Sequence, residues 1–178
     1  MANTIKFRQI TNEPCNVISV KSDTDTLDKG YLCSISALED DETSLYDVTE
    51  PTGVEGATPT EADLVIIAGD EGYINSFGQK TGGITDPRNI TYPAGTILKA
   101  ERFPRGRKFK INQSAIDVSG GVAIAVGKYL VPKDASYQMA TSATIPAGVG
   151  CVFIIEKIDE PFAVGGSYVD ALVARRVV

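Results

Sequence analysis

Asp28-Lys29-Gly30-Tyr31-Leu32 and Asp70-Glu71-Gly72-Tyr73-Ile74 share one pattern, and a second is shared by Tyr92-Pro93-Ala94-Gly95-Thr96-Ile97 and Ile145-Pro146-Ala147-Gly148-Val149-Gly150. Each is a turn that opens into an apolar run. Gly takes up backbone angles closed to other residues, Pro fixes φ and withholds a donor, and β-branched or aromatic residues then fill a strand. Such punctuation belongs to a compact sheet protein. The modules mark either an internal duplication or recurrent β-turn chemistry, and the second is the simpler account.

The segments around these turns carry strand periodicity. In Thr4 to Ile10, Ile5 and Phe7 alternate with Lys6 and Arg8, as in a half-exposed strand. Cys15 to Lys21 and Gly30 to Ser36 read the same way, and Asp63-Leu64-Val65-Ile66-Ile67-Ala68 is apolar enough for a strand buried on both faces. Thr96 to Phe103, Lys108 to Ile111, Val122 to Val126, Tyr129 to Val131, Val149 to Ile158 and Tyr168 to Val178 follow, with Val149 to Ile158 the strongest. About ten short strands at regular spacing predict an all-β sandwich or barrel. Residues 1–12 form an N-terminal arm and 13–178 a single β domain. Two stretches rich in Gly and Pro, 49–62 and 76–87, are expected as long loops, the first a possible insertion.

Composition sets outer bounds. A chain of 178 residues, 43% hydrophobic and 22% charged, suits one soluble domain with a core that needs no covalent help. Cys15, Cys33 and Cys151 are odd in number and sit in apolar runs, so buried reduced thiols and folding in a reducing cytoplasm are expected. No signal-peptide stretch opens the sequence and no run approaches a membrane span. The net charge of −6 hides an asymmetry. Residues 1–86 hold 16 acidic and 5 basic side chains, a balance of −11, whereas 87–178 hold 7 and 12, a balance of +5. Either both balances spread over one surface, or the halves form separate faces that meet oppositely charged partners.

The sequence holds no histidine. That removes Ser-His-Asp and Cys-His catalysis and His-based metal sites. The carboxylates crowd into polar loops such as Glu39 to Glu42, where a solvated loop or helix start is the simpler reading than a catalytic pair. Asp23, Asp25 and Asp28 invite a weak calcium site, but their spacing departs from the helix–loop–helix motif. No enzyme activity and no cofactor are therefore expected.

Arg102-Phe103-Pro104-Arg105-Gly106-Arg107-Lys108-Phe109-Lys110 places five cations in nine residues. Pro104-Arg105-Gly106 reads as a hairpin tip, so alternate cations face water while Phe103 and Phe109 pack inward. The functional alternative is docking on an acidic protein surface. Single-stranded nucleic acid stacked on the aromatics ranks last, since the acidic chain lacks a general basic footprint.

The acidic, histidine-free, all-β sequence with Tyr-Pro-Ala-Gly-Thr-Ile-Leu at 92–98 and Ile-Pro-Ala-Gly-Val at 145–149 resembles the head decoration, or cement, proteins of tailed bacteriophages. The likeness is one of style over most of the chain, with no diagnostic motif. It implies a non-catalytic protein of the virion, made in the host cytoplasm, that binds the outer capsid surface. It also implies a homo-oligomer, commonly a trimer, that bridges neighbouring major capsid proteins, with an N-terminal arm that adds a strand to its partner. Ile5 and Phe7 of the arm, and Arg102, Arg105, Arg107 and Lys108 of the basic run, are the candidate partner-binding residues. A tail-tube or fibre-base component, and a small trimeric β-barrel hydrolase, are the alternative readings.

Overall fold

The computed structural model describes residues 5–7, 17–38, 44–51, 64–68, 91–158, 162–164, 167–169 and 171–178. In chain order their strands are β1 (Ile5–Phe7), β2 (Val17–Lys21), β3 (Leu27–Asp28), β4 (Leu32–Leu38), β5 (Leu45–Thr49), β6 (Leu64–Ile67), β7 (Thr91–Tyr92) and β8 (Leu98–Arg102). There follow β9 (Lys108–Asn112), β10 (Ile116–Asp117), β11 (Tyr129–Lys133), β12 (Ser136–Ser142), β13 (Phe153–Lys157), β14 (Phe162–Val164), β15 (Ser167–Val169) and β16 (Ala171–Arg176). The protein is all-β, as expected. Its strands are more numerous and shorter than the ten anticipated, because two-residue ladders such as β3–β7 break up runs that read as continuous loops.

Five strands close into a barrel in the order β2-β5-β4-β6-β8. Only β2 and β5 run parallel within it. Strand β6 explains its own continuous apolar character, because all four of its residues are buried. Val65 and Ile67 belong to the barrel core, with Val20, Cys33, Val48, Leu98 and Ala100. Leu64 and Ile66 belong to a second core outside the barrel wall. Successive strand residues point to opposite faces, so a strand covered on both sides needs no polar alternation.

The cover is a seven-stranded sheet in the order β1-β9-β16-β13-β11-β12-β10. Its inner face brings Phe109, Ile111, Leu130, Met139, Phe153, Ile155 and Leu172 into the same core as Leu32, Leu64 and Ile66 of the barrel. Three rings anchor this core edge to face. Phe103, Phe109 and Phe153 stand with centroids 5.0 to 5.9 Å apart and planes 75° to 90° from parallel.

The recurring Pro-Ala-Gly module is shared turn chemistry. Gly95 and Gly148 take nearly the same left-handed φ, 78° and 79°. The first turn closes with Thr96 N–H donating to the Pro93 carbonyl and feeds β8 of the barrel. The second precedes β13 of the sheet. The Asp70 to Ile74 copy of the other module lies outside the described residues, as do Glu39 to Glu42 and Cys15. So do 52–62 of the expected loop insertion and all of the expected 76–87 loop.

Two expectations are corrected. Val122 to Val126 forms no strand. A turn closed by Gly121 N–H on the Val118 carbonyl ends just before it, and one closed by Lys128 N–H on the Ala125 carbonyl takes up Ala125 and Val126. Alternation alone supplied no ladder partner. Pro104-Arg105-Gly106 is a turn, with Arg107 N–H donating to the Pro104 carbonyl, but not a hairpin tip. Strand β8 pairs with β2 and β6, whereas β9 pairs with β1 and β16. The turn therefore carries the chain from barrel to sheet.

The two halves of the chain divide unevenly between barrel and sheet. The acidic first half supplies four of the five barrel strands. The basic second half supplies all of the seven-stranded sheet except β1.

Candidate interaction surface

Strand alternation disperses the cations that lie together in sequence. Arg105 stands exposed at the crossover turn. Arg107 turns back onto Glu101 of β8, contacting its carboxylate through Nη2, and lies over the Phe103 ring at 5.3 Å. Burial raises the Glu101 carboxyl above its ordinary range, and the Arg107 charge partly opposes that shift. Lys108 extends from the outer face of β9 to Glu156 on β13 at 2.5 Å, and Arg175 of β16 meets the same carboxylate at 2.5 Å. Arg102 faces a different way, toward the barrel. Of the four basic candidates, Arg105 is thus the one presented fully to solvent.

Ile5 and Phe7 lie on β1, where the register sets them opposite Ile111 and Phe109 of β9. The arm's strand adds an edge to its own sheet. To join a partner sheet, β1 must either leave β9 or use its outer edge.

The opposite end of the barrel from Arg102 carries Tyr137, which sequence reading passed over. The turn of the β11–β12 hairpin reaches the barrel side of the molecule, with Ala135 N–H donating to the Pro51 carbonyl. Tyr137 of β12 thereby enters the barrel core and stacks on Tyr31, with rings 5.1 Å apart and 3° from parallel. Its hydroxyl donates to Asp25 Oδ2 at 2.7 Å. Burial first, then the bond to Asp25, pushes the Tyr137 hydroxyl well above its ordinary range. Burial and Asp28 push Tyr31 up to about 12. Cys33 is fully buried in the same core, and desolvation raises its thiol sharply. Cys33 and Cys151 are both buried.

Of the three aspartates considered for calcium, Asp23 pairs with Lys21 at 2.9 Å and Asp25 accepts from Tyr137. Among the described residues no group of three or more His, Cys, Asp or Glu converges to hold a metal ion. No spacing in the sequence pointed to Tyr137 with Asp25, because 112 residues separate them.

Asp117, at the end of β10, has a pH consequence. The Lys133 ammonium hydrogen bond, with the Ser119 N–H and hydroxyl, holds its carboxyl down at about 2. Glu156 is lowered too, by Arg175 and then Lys108. An unfolded Asp titrates near ~3.9, so these folded carboxylates release protons more readily than the unfolded ones. For Asp117 the stabilisation is present in full above about pH 5 and is lost as pH falls through about 2. Urea midpoints should therefore decline from pH 5 to pH 2, and Asp117→Asn should flatten part of that decline. Identical pH profiles for the variant and wild type would exclude the assignment.

Comparison of the chain with protein-family models, with curated proteins and with solved structures gives no match.

Proposed function

We propose that this chain is a structural, adhesive protein that decorates the outer surface of a viral capsid. It acts as a homo-oligomer, with a trimer favoured, and bridges neighbouring major capsid proteins. The observation that carries this reading is the charge division, with a barrel built mainly from the acidic half joined to a sheet built mainly from the basic half. A chain whose two halves differ in charge suits a part that sits between other subunits. The turn chemistry and the likeness to phage decoration proteins support the same assignment. Each contact need not be strong, because a repetitive lattice multiplies weak contacts into avidity.

The test is direct. Purified protein mixed with capsids that lack it should sediment with them and raise their resistance to heat or chaotrope. Replacing exposed Arg105 by Glu should weaken that association roughly 3- to 10-fold at low salt and less at high salt. Absence of binding, with capsid stability unchanged, would reject the proposal. Label found only on the tail would replace it with the tail-tube or fibre-base alternative.

A further inference from the structure

Strands β4 and β8 end at the barrel mouth from which β2, β5 and β6 begin. Register fixes what faces inward there. Arg102 stands opposite Val65, and it follows Leu98 and Ala100 at two-residue spacing along β8. Val65, Leu98 and Ala100 all belong to the barrel core, so Arg102 continues the inward row to the rim. Ile18, Ile35 and Tyr46 lie partly buried against the same core. Leu38, opposite Tyr46, is 45% exposed.

Arg102 is partly buried in this apolar setting, and its Nε is fully buried with no hydrogen-bond partner. The contrast with Arg107 is informative. Arg107 also has a buried, unpartnered Nε, but its guanidinium is neutralised by Glu101. Among the described residues no carboxylate is paired with Arg102. Burying that Nε without a partner lowers stability, since the donor has given up water and received nothing. Departures of this kind from the rules of stable packing concentrate at working sites.

We infer that Arg102 receives a carboxylate, namely an Asp or Glu side chain presented by a partner protein. The guanidinium fork matches a carboxylate in shape and charge. Leu38 and Tyr46 at the rim cover the short methylene stem that carries it. A phosphate brings nearly two charges to a single guanidinium, and the molecule's net charge of −6 disfavours polyanions. The carboxylate chemistry stands on Arg102 itself. Its use at a capsid rests on the decoration reading.

The experiment uses the intact chain, with sodium butyrate as the probe and butyramide as its uncharged twin, at constant ionic strength. Butyrate in tenfold excess over its dissociation constant should raise the melting temperature of wild type by about 3–4 °C, and butyramide should not. Arg102→Met should melt about 3 °C above wild type without additive and should ignore butyrate. Equal effects of butyrate and butyramide on wild type overturn the inference, and that comparison needs no variant to fold. So does an equal butyrate response in Arg102→Met. Failure of wild type to bind capsids removes the decoration reading instead, and leaves a butyrate response that depends on Arg102 standing in support of the site.

Discussion

Arg176→Met should lose about 3–6 kcal/mol of stability, the largest single-residue effect expected outside the aromatic core. Arg176 closes β16 and is 2% exposed, yet it is a cation of the kind almost never buried without partners. Its Nε donates to the Val178 carbonyl at 2.6 Å, Nη2 to Gly150 at 2.9 Å, and Nη1 to Phe103. The backbone of the same residue is engaged as well. Its N–H donates to the Arg107 carbonyl at 3.0 Å, and its carbonyl accepts from Gly106 at 2.9 Å. One residue thus ties the barrel-to-sheet crossover, the approach to β13 and the end of the described chain together. Methionine fills similar space but strands three carbonyl oxygens, each costing about 1–2 kcal/mol when buried unpaired. Lysine should rescue little, because one ammonium on a flexible stem cannot reproduce a planar fork aimed in three directions. Urea unfolding measures the outcome. A wild-type midpoint in Arg176→Met would show that these bonds are replaced by water at no cost.

The second large effect belongs to Phe109→Ala. Phe109 is fully buried and contacts both other rings, with centroids 5.3 Å from Phe103 and 5.0 Å from Phe153. Truncation removes the transfer energy of the ring and leaves a cavity at the junction of barrel and sheet, costing about 3–5 kcal/mol. Phe109→Leu should lose considerably less, because it leaves a smaller void. Phe153→Ala should cost a similar amount alone, but the double variant should fall short of the sum by about 0.5–1.5 kcal/mol, since each single change already removes their shared edge-to-face contact. Strict additivity would mean that the rings act independently, against the geometry described.

Both predictions centre on the Phe103–Arg107 crossover, which is also where local reading of the chain fell short. Phe103 and Phe109 were expected to pack inward and do so. The cations between them were grouped as one patch because they are neighbours in sequence. Alternation along β8 instead turns Arg102 into the barrel mouth, and ion pairs with Glu101 and Glu156 engage Arg107 and Lys108. Arg176, beside Val177 and Val178, reads in sequence like any exposed charge. Its partner carbonyl at Phe103 lies 73 residues away.

What the sequence determined by itself was local. Pro-Ala-Gly turns place Gly in the left-handed region wherever they occur, and the Leu64 to Ile67 run identifies a strand covered on both faces. These outcomes depend on backbone sterics and on burial, which a residue carries with it. The tertiary structure alone decided which strands close the barrel, why Val122 to Val126 finds no ladder, and which guanidinium has a carboxylate partner among the described residues. Those outcomes depend on partners brought from distant parts of the chain, and neither periodicity nor composition encodes the identity of a partner.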